Sequence, residues 1–322
     1  MTEAWALDQD GQLALGPVRV RAPAKINLHL GVGAVRPDGY HEIHTVYHAI
    51  SLYDEVTARS GDSLTLTMLG EGVGELDLDD GNLVNRAARA LATAAKIEPK
   101  ARLHLRKQIP LAAGLAGGSA DAAATLVACD SLWGTGYSRG ELATIAATLG
   151  SDVPFLLFGG TALGTGRGET VSPVLARASK WHWVAAFSTG GLSTPEVYRE
   201  LDRLRAAGKA PDPITSTDPL LAALRQRDPA VLGAAIGNDL QAAALSLMPE
   251  LEATLAAGHD AGAHAAFVSG SGPTCVFLAG DEAHADEIAA ALSEAGVCRS
   301  AHAAIGPVPG ARVATGAWGG GS

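Results

Sequence analysis

The fifteen residues from Pro110 to Ala124, Pro-Leu-Ala-Ala-Gly-Leu-Ala-Gly-Gly-Ser-Ala-Asp-Ala-Ala-Ala, constrain this chain more than any other segment. Gly114, Gly117 and Gly118 lack a Cβ, so the backbone there can adopt positive φ and approach a ligand closely. From Ser119 onward the residues are mostly good helix formers, so a helix is expected with Ser119 at its N-cap or in its first turn. The free N–H groups and positive dipole end of that helix then face the concavity of the glycine turn, which suits a phosphate group. A tight connection demands small residues too, so the segment by itself leaves both readings open. It contains no lysine and is therefore not a G-x-x-x-x-G-K-[ST] loop, and the chain has neither a G-x-G-x-x-G opening a Rossmann unit nor an H-R-D or D-F-G motif. A phosphate held here must be stabilised by amides, a hydroxyl and a metal ion.

At 322 residues the chain is long enough for two domains, and a chain of this size buries roughly 75% of its unfolded surface. The net charge of −10 argues against nucleic acid or an anionic membrane as partner, though a small phosphorylated ligand can still be served by helix termini, Mg²⁺ or isolated cations. With only six lysines, each one in a motif carries weight. The three cysteines, Cys129, Cys275 and Cys298, have no metal or redox spacing and fit a reducing compartment. The first ten residues lack a basic and then apolar leader pattern, and no apolar run approaches a membrane span. A cytoplasmic protein is expected.

Strands and helices mix along the chain. Val18–Ala22, Ile26–Leu30, Tyr47–Thr57, Ser63–Met68, Arg102–Leu105 and Ala265–Ser269 read as strands, and Phe155–Phe158 as a buried strand. Asn82–Lys96 reads as an alanine-rich helix, Glu141–Leu149 as a helix closed by Gly150, and further helices are expected near 229–257 and 282–295. Residues 1–17 read as a polar extension and 315–322 as a flexible tail, with a boundary near 172–180. The expected division is an N-terminal domain 1–175, a C-terminal domain 176–312 and a tail 313–322.

Four further constellations carry chemistry. In Pro23-Ala24-Lys25-Ile26-Asn27, Lys25 and Asn27 lie two residues apart on one face of a strand, either at an exposed edge or as a cation and an amide converging on a site. Asp152 precedes Val153-Pro154; Pro154 is expected to hold Val153 extended, leaving Asp152 either a turn residue or a carboxylate placed for general-base work. His41, His44 and His48 have a spacing that invites a zinc reading, but the intervening residues suggest a strand and no fourth ligand is evident, so no metal centre is assigned. Tyr40-His41 offers a ring beside an imidazole, suited to an aromatic base, with Tyr198 as a second ring. Ser269-Gly270-Ser271-Gly272-Pro273-Thr274 is a second glycine/serine loop, either a plain turn or a further set of donors.

Taken in order, Pro23–Asn27, Arg36-Pro37-Asp38-Gly39-Tyr40-His41, the 110–124 loop, Asp152-Val153-Pro154 and Ser269–Thr274 resemble the GHMP small-molecule kinases over roughly residues 18–308. The paired Pro-Ala-Lys-Ile-Asn and Asp-Gly-Tyr-His segments resemble the branch whose alcohol substrate carries a cytidine diphosphate, in the non-mevalonate isoprenoid route. The resemblance implies an α+β fold of two domains with the active site in the cleft between them, ATP with Mg²⁺ as the phosphoryl donor, and Lys25 and Asp152 as the catalytic pair. By the same resemblance Asn82, Lys107, Pro110, Gly114, Leu115, Ala116, Gly117, Gly118, Ser119 and Asp121 contact ATP. Asn27, Tyr40, His41, Thr194, Tyr198, Ser271 and Gly272 contact the cytidyl diphosphate polyol, with cytosine between Tyr40 and Tyr198. No dedicated metal ligands are implied, and a monomer and a homodimer both stay open.

Two departures from the family pattern carry expectations. Ala112, Ala113 and Ala116 stand where glycine is frequent, so they are expected at negative φ, with Gly114, Gly117 and Gly118 supplying all the positive φ. Thr189-Gly190 replaces a Pro-Gly in the second-domain loop, which bears on Thr194. Two rival readings remain: another GHMP kinase, of homoserine or mevalonate type, and a non-catalytic nucleotide-binding relative.

Overall fold

The computed structural model describes residues 16–174 and 180–314. Its first sheet is founded on two long antiparallel strands, β1 (Val18–Val35) and β2 (His41–Arg59), in a register that sets Lys25 opposite Ala49 and Asn27 opposite Tyr47. The two segments Val18–Ala22 and Ile26–Leu30 are thus parts of one strand. Pro23, which cannot donate to a ladder, sits at a register shift between Pro23 and Ala24 that lets the strand continue.

Along the first half follow β3 (Thr65–Gly70), α1 (Leu83–Ala95), β4 (Arg102–Lys107), α2 (Gly117–Trp133), α3 (Arg139–Ala147), α4 (Val153–Phe158), β5 (Thr161–Thr165) and β6 (Thr170–Pro173). The second half runs β7 (Trp181–Phe187), α5 (Thr194–Ala206), α6 (Asp218–Ala223), α7 (Pro229–Ala235), β8 (Gly237–Asn238), α8 (Gln241–Leu247), α9 (Leu251–Asp260), β9 (Ala265–Val268), β10 (Cys275–Ala279), α10 (Glu282–Glu294), β11 (Ser300–Gly306) and β12 (Arg312–Val313). The first sheet has the order β12-β1-β2-β4-β3, with β5 added beside β2, β6 beside β5 and β8 beside β1; the second has the order β11-β7-β10-β9. The fold is α+β, as the sequence leads one to expect.

Helix α2 explains the alanine content. Ala120, Ala122, Ala123, Ala124 and Ala128 are fully buried, so the helix is covered on all sides, and small side chains let its neighbours approach closely. The second sheet is shared between two cores. Trp181, Trp183, Ala185 and Phe187 of β7 face the first, while Val184 and Ala186 face the second, as strand alternation requires.

Three expectations are corrected here. Phe155–Phe158 lies in helix α4, not a strand: Pro154 occupies the first turn, where its missing N–H costs nothing, and Val153 is helical rather than extended. Helix α3 is opened by a Ser138–Glu141 capping box and closes at Thr148, so Gly150 is not its cap. Strands β8 and β12 of the second half return to pair with β1, so Val313 belongs to the sheet rather than to a tail. The 175/176 boundary, residues 1–15 of the N-terminal extension and the 315–322 tail lie outside the described residues.

Candidate active site

The phosphate-loop segment wraps from β4 into α2 with positive φ at Ala112 (48°), Gly114 (75°) and Ala116 (57°). The expectation for the alanines is therefore wrong at two of three positions, and Gly117 and Gly118 are already helical. A left-handed alanine costs roughly 1–2 kcal/mol. Bonds along the loop offset that strain: the Lys25 N–H donates to the Leu115 carbonyl (3.2 Å) and the Thr274 N–H to the Ala113 carbonyl (3.3 Å). Lys25 Nζ (3.0 Å) and Ser269 Oγ (3.3 Å) both donate to the Gly114 carbonyl. Ala116 is the N-cap, which places Ser119 in the first turn and not at the cap. Gly117 and Gly118 are needed for space. A Cβ on Gly117 would stand 3.0 Å from Lys107 Nζ and from Ile109, and one on Gly118 would stand 3.1 Å from Leu83.

Lys25 and Asn27 share a strand face, but it is a buried one: they are 5% and 3% exposed, which rejects the edge-strand alternative. Lys25 Nζ donates to Asn27 Oδ1 (2.6 Å), and Asn27 Nδ2 donates to Thr45 Oγ1 (2.8 Å). Across the cavity, Asp152 Oδ2 lies 3.8 Å from Lys25 Nζ, and Tyr47 Oη donates to Asp152 Oδ1 (2.9 Å). Burial pushes the Lys25 ammonium below the ordinary lysine value, and Asp152 opposes that shift. The sequence reading missed Tyr47. Its signal was the ladder position directly opposite Asn27.

These groups line a cavity of about 530 Å³ together with Pro110, Gly114 and the first turn of α2. On its far wall stand Thr194 and Tyr198 of α5 and Ser271 of the β9–β10 hairpin, where Thr194 Oγ1 and Ser271 Oγ are hydrogen-bonded at 2.9 Å. Thr194 therefore reaches the site despite the Thr189-Gly190 departure. A neighbouring cavity of about 680 Å³ is lined by Tyr40, His41 and Tyr198. Here the rings are paired differently from the expected sandwich. His41 stacks on Tyr198 (centroids 5.0 Å apart) and its Nε2 is 2.9 Å from Asp202, whereas Tyr40 is 58% exposed beneath the Arg167 guanidinium.

Several expected ATP contacts serve the scaffold instead. Lys107 Nζ is buried between Asp54 Oδ2 (2.6 Å) and Asp121 Oδ2 (2.8 Å), and Asp54 Oδ1 accepts from the Gln108 and Ile109 N–H groups. Burial lowers the Lys107 pKa, but the two carboxylates outweigh it and the net shift is upward; burial, then the Asp54 charge, pushes the Asp121 carboxyl well above its usual range. Neither side chain faces the cavity. The triad ties β2 and β4 to the start of α2 from behind. Asn82 is the N-cap of α1, accepting from the Val84 N–H (2.9 Å). Leu115 is fully buried, and Gly272 (φ 73°) makes the hairpin turn, its N–H donating to the Ser269 carbonyl (2.9 Å). The three histidines have separate surroundings on β2: His41 meets Asp202, His48 Nδ1 meets Thr161 (2.8 Å), and His44 is exposed. Among the described residues no three His, Cys, Asp or Glu gather to hold a metal ion, and no helix is long and apolar enough to cross a membrane.

Residues 82–160 match the GHMP kinases N terminal domain, and residues 220–298 the GHMP kinases C terminal domain. The chain is 71% identical over 314 residues to a 4-diphosphocytidyl-2-C-methyl-D-erythritol kinase of Salinispora tropica, covering 97% of this chain and all of that one. A crystal structure of a 4-(cytidine 5'-diphospho)-2C-methyl-D-erythritol kinase is similar at a TM-score of 0.74 and 34% identity, over 90% of this chain and 99% of that one. A homoserine kinase from Cytophaga hutchinsonii shares the fold at a TM-score of 0.73 and 20% identity, over 94% of this chain and 99% of that one.

Proposed function

The chain belongs to the 4-diphosphocytidyl-2-C-methyl-D-erythritol kinases of the GHMP kinase family, and we propose that Asp152 and Lys25 carry its phosphoryl transfer in the cavity at the start of α2. It is an ATP-dependent small-molecule kinase that phosphorylates the 2-hydroxyl of 4-diphosphocytidyl-2-C-methyl-D-erythritol in the non-mevalonate isoprenoid route. We place the reaction in the cytoplasm, a setting that suits three free cysteines.

The observation that carries the residue assignment is a carboxylate poised opposite a buried ammonium at a helix N-terminus. Asp152 Oδ1 is occupied by Tyr47 Oη, which fixes the carboxylate and leaves Oδ2 to accept the proton of the attacking hydroxyl. The alcohol oxygen then bonds to the γ-phosphorus as the bond to the β-phosphate oxygen breaks and ADP leaves. Lys25 has three N–H donors; Asn27 and Gly114 engage two, and the third is available to the oxygen on which charge develops.

The cavity wall of Gly114, Gly117 and Gly118, the α2 N–H groups and the Ser119 hydroxyl fit the phosphates of ATP. Mg²⁺ would be held there by phosphate oxygens and water beside Ser119, and it supplies charge neutralisation of the phosphates. The base of the alcohol substrate fits the aromatic cavity of Tyr40, His41 and Tyr198. We further propose two functional units meeting near residue 175, one contributing the phosphate loop and the other α5 and the β9–β10 hairpin.

Release of ADP with cytidine-diphosphate alcohols, but not with homoserine or mevalonate, tests the reading; turnover of the non-cytidyl alcohols, or no turnover of any, overturns it. Base stacking contributes about 1–3 kcal/mol, so Tyr198→Ala is expected to raise KM for the cytidyl substrate roughly 5- to 150-fold. KM for ATP should hold, and an equal rise in both would assign Tyr198 to packing.

The Lys25 shift gives a pH dependence. Burial favours the neutral amine, so the charge is lost at lower pH than in an ordinary lysine, and kcat is expected to fall on the alkaline side with a midpoint below 10.5. Lys25→Arg, which keeps its charge to higher pH, should move that limb upward at lower kcat. An unmoved limb would assign the titration elsewhere.

A further inference from the structure

The two cavities meet along a shared wall formed by Ile43, Ser151, Arg167, Thr194 and Tyr198. Arg167 is the one cation among the described residues that lines both. Lys25 faces only the phosphate-side cavity and Arg199 only the aromatic one. Arg167 sits at the tip of the β5–β6 hairpin, between Gly166 (φ 75°) and Gly168 (φ 103°). The Ile43 N–H donates to the Gly166 carbonyl (2.9 Å) and the Gly168 N–H to the Thr165 carbonyl (3.0 Å), so the tip is fixed to β2. A Cβ on Gly168 would come within 2.2 Å of Tyr47 Oη, the group that holds Asp152, so the hairpin packs directly against the reaction centre.

The guanidinium itself is loosely held. Its ion pair to Glu169 is long, at 3.6 Å, its Cζ lies 5.0 Å from the Tyr40 ring centre, and the side chain is 38% exposed. A planar fork of N–H donors left facing a cleft suits a dianionic diphosphate, which it can grip with two parallel hydrogen bonds.

We infer that Arg167 is the binding residue for the diphosphate of the alcohol substrate, at the junction between the base cavity and the transfer cavity. The inference rests on the cytidyl-substrate reading and adds the group that spans the two halves of that substrate. A base held beside Tyr198 and a hydroxyl held beside Asp152 must be joined past the shared wall, and Arg167 is the positive charge there. ATP approaches from the α2 side and does not need it.

Calorimetric titration of cytidine and of CDP into the wild type and Arg167→Ala, with steady-state KM values for both substrates, tests this. The wild type should bind CDP more tightly than cytidine. Arg167→Ala should weaken CDP binding and raise KM for the cytidyl substrate by roughly 10- to 150-fold, the scale of a lost hydrogen bond to a charged group. Cytidine affinity and KM for ATP should hold, with Arg167→Lys intermediate. Equal loss of cytidine and CDP would make Arg167 part of the aromatic wall, a rise in KM for ATP alone would assign it to the nucleotide donor, and no change would remove it from the site; each overturns the inference. A wild type that binds neither cytidine nor CDP and turns over a non-cytidyl alcohol sinks the substrate reading and this inference with it. A wild type that binds both equally sinks the inference alone.

Discussion

Asp152→Asn is expected to lower kcat by roughly 10²- to 10⁴-fold, the scale of a positioned general base, while KM for ATP stays close to wild type. The substitution is nearly isosteric, and Tyr47 Oη can still donate to the amide oxygen at the position of Oδ1. What changes is the second oxygen, 3.8 Å from Lys25 Nζ, which becomes an NH₂ group unable to take a proton. Asp152 also does not cap α4 through its side chain, so no helix-stabilising bond is lost. Thermal melting should therefore stay near wild type while single-turnover phosphoryl transfer collapses. Turnover near wild type in a folded variant would remove the general-base role and leave Asp152 as a partner that holds Tyr47 and Lys25.

Much of the site is local in sequence, and that part was legible. The glycine loop and α2 are contiguous, and Lys25 and Asn27 need only the two-residue period of a strand to share a face. The motif order along the chain carries the family. What sequence could not supply is the use to which charges are put by partners far along the chain. Lys107 reads as a free cation beside a phosphate loop, yet Asp54 and Asp121 consume it in the interior, because a buried ammonium must be paired. Tyr47 reads as one more strand residue until the ladder sets it opposite Asn27 and α4 brings Asp152 to its hydroxyl. Arg167 is likewise invisible as a site residue until the hairpin carries it to the meeting of the two cavities.

The misread elements fail for identifiable reasons. Phe155–Phe158 is a short apolar run, for which periodicity cannot separate a buried strand from a buried helix, and the adjacent Pro154 fits a first helical turn as well as an extended approach. Ala112 and Ala116 violate the local preference for negative φ because long-range bonds from Lys25 and Thr274 over-determine the loop path. Local propensity was right about the residue type and wrong about the outcome, as occurs where a ligand-binding loop is held in strain by the surrounding fold.

That strained loop gives the second large effect. Gly114→Val is expected to reduce kcat/KM for ATP by roughly 10²- to 10³-fold, the range for misplaced reacting groups and lost anion donors. Two independent obstacles act at this residue. Its φ of 75° is a conformation a β-branched side chain resists, and a Cβ would stand 2.3 Å from the Ser269 carbonyl oxygen and 3.0 Å from Gly272 backbone atoms. The obstacles are backbone, so no flexible neighbour can yield. Relief requires the loop to move off the β9–β10 hairpin, and the Gly114 carbonyl then leaves Lys25 Nζ and Ser269 Oγ. The phosphate cradle and the lysine are thus displaced together. A local backbone strain of about 1–3 kcal/mol is smaller than the 5–15 kcal/mol that holds a domain folded, so the variant should remain folded by circular dichroism and melt at a lower temperature. Gly117→Ala is the contrast. That residue is helical, and its Cβ would meet side-chain atoms of Lys107 and Ile109 at 3.0 Å rather than backbone at 2.3 Å, so a much smaller loss is expected. Equilibrium binding of a non-hydrolysable ATP analogue reads the difference directly. Unchanged affinity in folded Gly114→Val would mean that the turn only connects β4 to α2, and that the nucleotide phosphates lie elsewhere in the cleft.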